Sequence, residues 1–186
     1  MSKNTKSADE LIQLLKNCDT GRFNRLRLEN KNDYLDLTEI DLKGCEIHKA
    51  NLCNVNLSGS DLSECDIADV DFSNSDLTSV DLSNSNLKRV NFSNAIISGS
   101  RFQGANIINS DFAEADLSGV DFSEADLSGS DLSLSINLSE CIFDKYTIWP
   151  DDDKLPDAFD TEYVEDLSRI DPDDDCIGLS NEDYAY

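Results

Sequence analysis

Thirty-nine carboxylates, six cysteines and one histidine are the side chains of this chain best equipped for chemistry. Their spacing decides what chemistry. Cys18, Cys45, Cys53, Cys65, Cys141 and Cys176 nowhere form a C-x-x-C pair, and only His48 could join them. A zinc site needs clustered Cys or His ligands, so none is expected. "DPDDDCIGLSNE", Asp171–Glu182, places Asp171, Asp173, Asp175 and Glu182 where a calcium loop has its ligands, but Cys176 stands where that loop needs Gly for its sharp turn. A solvated acidic segment is the better reading. One histidine and no phosphate loop cannot supply a nucleophile, base and orienter, so neither an enzyme nor a cofactor is expected.

The aspartates carry more information as a pattern. From Leu37 to Leu132 every fifth residue is Leu, Ile or Phe, twenty in succession. Call each of these a centre, i. Position i−1 is usually Asp or Asn, i−2 is small or compact (Cys45, Ala50, Val55, Ser60, Cys65, Val70), and i+1 and i+2 are polar or small. Two residues in five therefore point inward and three outward. Helices repeat at 3.6 residues and strands at two, and neither fits this run. A coil that turns a corner every five residues does.

A second period sets the number of sides. Phe occupies centres 72, 92, 102, 112 and 122, and i−2 alternates Val70, Ser75, Val80, Ser85, Val90. A ten-residue alternation needs an even number of sides, and two sides leave no interior. Four sides stack Phe72, Phe92 and Phe112 on one side and Phe102 over Phe122 opposite, filling a narrow core. Successive turns then bond as parallel strands about 4.7–4.9 Å apart. Cys45 and Cys65, twenty residues apart at i−2, fall on neighbouring turns as small buried thiols in place of Ala or Val. His48, at i+1, points outward. The glycosylation-like Asn56-Leu-Ser58, Asn91-Phe-Ser93 and Asn137-Leu-Ser139 are by-products of the repeat.

"ADLSG" at Ala115–Gly119 and again at Ala125–Gly129 resembles the pentapeptide-repeat family, A-(D/N)-L-x-x. The resemblance implies an all-β solenoid: a right-handed quadrilateral β-helix with four pentapeptides per turn, here about six turns. "CIFDKYTIWP", Cys141–Pro150, is similar to the closing stretch of many bacterial members, cyanobacterial ones especially.

Three segments follow. Residues 1–22 form an N-terminal arm with one capping helix over 8–17, started by Ser7 and Glu10 as a capping box and buried through Leu11, Leu14 and Leu15. Residues 23–149 form the coil, which begins near Phe23 and Leu28, breaks at "ENKND" and resumes at Leu35. After Leu132 the register slips by one, with a bulge near Ser133–Ser135. Leu138, Phe143 and Ile148 become centres and Ile136, Cys141 and Tyr146 take i−2. Tyr146 and Trp149 cover the last turn, and Pro150 stops the ladder. Residues 150–186 are an acidic tail, fourteen acidic side chains against two basic from 151 onward, in which "TEYVEDLSRI" has a helix-like apolar face of Tyr163, Val164, Leu167 and Ile170.

A net charge of −24 argues against direct contact with nucleic acid or an anionic membrane. No apolar run approaches a membrane span, and "MSKNTKSADE" lacks a signal peptide's apolar stretch, so a cytoplasmic location is expected. The leading functional reading is a non-enzymatic scaffold that presents rigid acidic faces to a protein partner. Between Leu35 and Trp149 there are twenty acidic and six basic residues. Six turns make a rod of about 28 Å, and B-DNA of that length carries about 16 charges. That match gives the second reading, a DNA-mimicking ligand of a type II topoisomerase, DNA gyrase, which the family's quinolone-resistance members imply. This chain has the plainer repeat and no long loop between Leu37 and Leu132. Twenty-residue stacking places Asp61, Asp81, Arg101 and Asp121 in one column. Candidate interaction residues are those four, Ile96 at an i−1 position that is usually Asp or Asn, and Lys88 and Arg89, the coil's one basic pair.

Overall fold

The computed structural model describes residues 8–29, 34–157 and 159, and the backbone of 177–178. Two helices precede the coil where the sequence suggests one. Helix α1, Ala8–Lys16, has Asp9 and Glu10 in its first turn and Lys16 in its last, which complements the helix dipole. Leu11, Leu14 and Leu15 are its buried stripe. The chain then reverses at Cys18, which adopts a left-handed φ of 56°. Asp19 starts helix α2, Thr20–Glu29: its carboxylate accepts the Arg22 N–H at 3.0 Å. Arg22 Nη2 lies 2.8 Å from Glu10 Oε1 and ties the two helices together.

The assignment of Phe23 and Leu28 to the coil is therefore corrected. Their five-residue spacing imitates the repeat, but Phe23 and Leu26 are the buried face of α2, and Leu28 is exposed. Ser7 lies outside the described residues.

The coil proper starts with strand β1, Leu35–Asp36, which pairs in parallel with β3, Val55–Asn56. Strands β2 (Glu46–His48), β4 (Asp66–Ala68), β5 (Asn86–Lys88) and β6 (Asn106–Ile108) form a parallel sheet, with Ile47, Ile67, Leu87 and Ile107 in register. Isolated parallel bridges continue the same twenty-residue offset, as in Asp41, Asp61, Asp81, Arg101 and Asp121. Four pentapeptides thus make one turn. The four faces are named by their centres: the first by Leu37, Leu57, Leu77, Ile97 and Leu117; the second by Leu42 to Phe122; the third by Ile47 to Leu127; the fourth by Leu52 to Leu132.

Every centre from Leu37 to Leu132 is almost wholly buried. On the fourth face Phe72, Phe92 and Phe112 stack with centroids 5.6 and 4.9 Å apart. Phe102 and Phe122 lie 5.4 Å apart on the opposite face. The two columns meet edge to face across the axis, Phe92 with Phe102 at 6.0 Å and Phe112 with Phe122 at 6.5 Å. Each burial contributes about 1.5–3 kcal/mol before chain entropy is set against it.

The C-terminal register differs from the sequence reading. The offset of twenty holds through Ile136, which bridges Asp116, so there is no bulge at Ser133–Ser135. One extra residue enters at the 3-10 turn Leu138–Glu140, so that Ile142 bridges Asp121. A second enters before Ile148, which bridges Asp126. Ile136 and Ile148 consequently take the outward i−1 position and are 48% and 53% exposed. Trp149 goes inward in place of Ile148 and packs on Phe122, Phe143 and Phe159. The larger ring covers more of the open end. Leu138, Cys141 and Phe143 are buried, whereas Tyr146 is exposed. Strand β7, Ile142–Phe143, pairs antiparallel with β8, Ile177–Gly178. The calcium-loop pattern and "TEYVEDLSRI" lie outside the described residues, the short β8 pairing apart.

Candidate functional site

The outer faces of the coil are the candidate surface, and their geometry is set inside each pentapeptide. The i−1 carboxylate does local work first. Asp61 Oδ1 accepts the Ser63 N–H at 2.9 Å and the Ser63 hydroxyl at 2.6 Å. Asp81 and Ser83 repeat the pair at 3.0 and 2.6 Å. Asn91 does the same for Ser93. These are Asx turns, which recur on the first, second and fourth faces, whereas on the third face Asn86 and Asn106 donate instead to the side chains of Asp66 and Asn86 one turn earlier. The Ser donors hold the carboxyls of Asp61, Asp116 and Asp131 below the ordinary carboxylate range.

At i+2 the backbone is left-handed from Glu39 to Gly129, at Gly59 (φ 69°) and equally at Ser79 (φ 57°) and Arg89 (φ 54°). At i−2 a buried serine joins turns. Ser85 Oγ donates to the Leu62 carbonyl at 2.7 Å and accepts the Cys65 N–H at 3.2 Å. Buried thiols take the donor half of that role: Cys65 Sγ donates to Leu42 O at 3.0 Å and Cys141 Sγ to Leu117 O at 3.1 Å. Burial pushes Cys65 up to about 11 and raises Cys141 too, so neither is a nucleophile. The five described cysteines, Cys45 and Cys65 among them, are free. Among the described residues no group of His, Cys, Asp and Glu could hold a metal ion, and no helix is long and apolar enough to cross a membrane.

The predicted interaction residues fall on three different faces. Asp61, Asp81, Arg101 and Asp121 form one column of the second face, and Arg101 Nη1 lies 3.5 Å from Asp81 Oδ2. Ile96 is on the first face, one corner before Arg101 in the same turn, and 47% exposed. Lys88 and Arg89 are on the third face, where Arg89 grips Asp69 with Nε to Oδ1 at 2.6 Å and Nη2 to Oδ2 at 2.9 Å. That contact lowers the Asp69 pKa. His48 lies 3.4 Å from Asp66 on the same face. The third face therefore mixes signs. The first and fourth faces have no basic side chain between residues 35 and 134.

Sequence reasoning missed the apolar side chains Leu134 and Ile136, both exposed where the first face ends. Asn137, polar where an apolar centre is due, marks the break in the repeat but does not show that Ile136 before it still keeps the outward position.

Two family descriptions fit this geometry: the pentapeptide repeat region over residues 34–102, and pentapeptide repeats in eight copies over residues 95–133. Together they span more than half the chain.

The chain belongs to the pentapeptide-repeat family.

Among solved structures this pentapeptide-repeat chain is similar to HetL, a protein involved in heterocyst differentiation regulation from the cyanobacterium Nostoc sp. strain PCC 7120. Identity is 23%, the TM-score 0.53, and the match covers 56% of this chain and 44% of HetL. A second match, Rfr23 from the cyanobacterium Cyanothece 51142, has 23% identity over 69% of this chain and 99% of its own, with a TM-score of 0.36. A third, from the Arabidopsis thaliana thylakoid lumen, has 23% identity over 53% and 66% of the two chains and a TM-score of 0.40. The likeness to HetL is one of fold. No curated protein matches the chain.

Proposed function

We propose that this pentapeptide-repeat coil, right-handed and of about six turns, is a non-enzymatic scaffold that holds rigid acidic faces for a protein partner in the cytoplasm. One observation carries the reading. The outward carboxylates are fixed by Asx turns and by twenty-residue backbone pairing, as in Asp61 and Asp81, so the surface is set before a partner arrives. A preorganised surface loses little conformational entropy on binding. The charged groups lie on open faces, where water screens them, and this suits docking better than general acid–base work.

DNA mimicry of the gyrase type asks for anionic charge around the whole rod. The third face, with Lys49, Lys88 and Arg89 among its acids, and Arg101 on the second face weaken that reading. The deciding experiment is affinity capture from the native host with the full chain and with a charge-reversed variant, Asp61→Lys with Asp81→Lys, run beside a gyrase supercoiling assay at low salt. The scaffold reading expects a partner other than gyrase and no inhibition at micromolar protein. Capture of nothing, or inhibition of supercoiling, overturns it.

A further inference from the structure

We infer that the first face docks a basic amphipathic helix of the partner protein, with Ile96 and Ile136 as its apolar anchors. The inference rests on the scaffold reading and says which chemistry that scaffold accepts.

The first face carries an outward column of Asn56, Asp76, Ile96, Asp116 and Ile136, each bridged in parallel to the next. The repeat puts Asp or Asn at such positions because their side chains close the local turn. Ile96 and Ile136 cannot do this, and they are 47% and 48% exposed. Leu134, 65% exposed, sits two residues before Ile136 at the adjoining corner. Beside Ile136 at the coil's end lies a groove lined by Ser135, Asn137, Leu138, Ser139, Pro156 and Phe159.

Charge and spacing select the occupant. Asp36, Glu39, Asp76 and Asp116 are the first face's carboxylates, and none meets a cation among the described residues. Some carboxylates on the other faces do, Glu64 with Lys43, Asp81 with Arg101, Asp69 with Arg89 and Asp131 with Lys154, whereas Asp71 and Asp111 of the fourth face do not, so it is the exposed Ile96 and Ile136 beside Asp116 that single out the first face. Asp116 accepts Ser118 and Asn137 through Oδ1, and its Oδ2 has no hydrogen-bond partner among the described residues. A partner must therefore bring both cations and apolar groups. Ile96 and Ile136 are two turns apart, about 9.5 Å at strand spacing. Residues i and i+7 of a helix are about 10.5 Å apart, and i+3 and i+4 lie between them. A helix along the coil axis thus sets Leu on Ile96 and Ile136 and a Lys or Arg over Asp116.

The probe is a synthetic helix-forming peptide of about twenty residues, with Leu seven apart and Lys midway between. It is titrated into the full chain and followed by calorimetry and amide chemical shifts. Binding should move the amides of Ile96, Asp116, Leu134 and Ile136. Ile96→Asn and Ile136→Asn each install a neutral residue that the repeat already uses in this column at Asn56, so both remove the apolar anchor without adding charge, and each should weaken binding about tenfold. Shifts spread over all four faces, unchanged affinity in both variants, or no binding at all would each overturn the inference. A host partner that both variants still capture also overturns it while leaving the scaffold reading standing. Failure of the native chain to capture any partner is the separate outcome that defeats the scaffold itself.

Discussion

Each side chain in the pentapeptide has a bonding duty as well as a direction. The i−1 aspartate looks like surface charge in the sequence, yet Asp61 is an acceptor for Ser63's N–H and hydroxyl. Those donors lower its folded pKa, whereas the unfolded carboxyl titrates near about 3.9. A depressed folded pKa contributes stability that is present above the unfolded value and is lost as pH falls through the folded one. Asn91 fills an equivalent slot for Ser93 through Oδ1 at 3.0 and 2.7 Å, so an amide can do the same work without titrating. Asp61→Asn should stay within about 1 kcal/mol of the parent near neutral pH. Urea unfolding at about pH 7 and about pH 3 should show a smaller acid loss in the variant. An equal loss in both proteins would show that this carboxylate contributes nothing to acid sensitivity.

Corners and caps are the elements at which the repeat is tested. Ser79 holds φ 57° at a corner, a region where β-branched side chains are strained. Ser79→Val should cost about 1–3 kcal/mol, measured by urea denaturation, and Ser79→Gly far less. A neutral Ser79→Val would mean that the corner relaxes. At the N-terminal end Asn24 of α2 stands in for a missing turn. Its Nδ2 donates to Lys49 O at 2.7 Å and its Oδ1 accepts the Asn51 N–H at 2.8 Å, the slot that Ala50 O fills for Asp71 one turn later. Asn24→Ala leaves both edge groups without that partner and should cost about 1–3 kcal/mol. Hydrogen exchange should show faster exchange at the Asn51 amide, and unchanged protection there would refute the capping role. The C-terminal end uses the same device, with Asp144 Oδ1 accepting the Glu124 N–H at 3.0 Å. The coil itself was legible in the sequence because Leu, Ile and Phe recur at one spacing from Leu37 to Leu132, and Phe alternation fixed four sides. The ends were not, because a cap is an exception to the repeat. Phe23 and Leu28 keep the five-residue step while belonging to a helix, and Ile148 and Trp149 are adjacent apolar residues that only the volume of the open end can rank. The candidate surface was half legible: Ile96 breaks the pattern visibly, whereas Ile136 is disguised by the register change that follows it.

Across the whole molecule, stability is close to a sum over neighbouring turns, and the charge is the term that acts along its length. Carboxylates one turn apart in a column repel by about 1 kcal/mol at a separation of about 4 Å in water, and salt screens this over about 10 Å at 0.1 M. Arg101 interrupts one such column between Asp81 and Asp121, with Nη1 3.5 Å from Asp81 Oδ2. Its contact is exposed, so as an ion pair it contributes little. Its larger effect is to separate acids that would otherwise form an unbroken file from Asp41 to Asp121. Arg101→Glu restores that file without altering the inward-facing residues Ser100 and Phe102, both buried. At about 10 mM NaCl, where screening is weak, the variant should be less stable than the parent by about 1 kcal/mol in urea unfolding. At about 1 M, with a Debye length of about 3 Å, most of the difference should vanish. Both proteins should gain stability over the same range, because acids outnumber cations along the coil. A gap that persists at high salt would assign the cost to packing of the Arg101 stem, and a parent that weakens with salt would show that ion pairs such as Arg89 with Asp69 outweigh the repulsion.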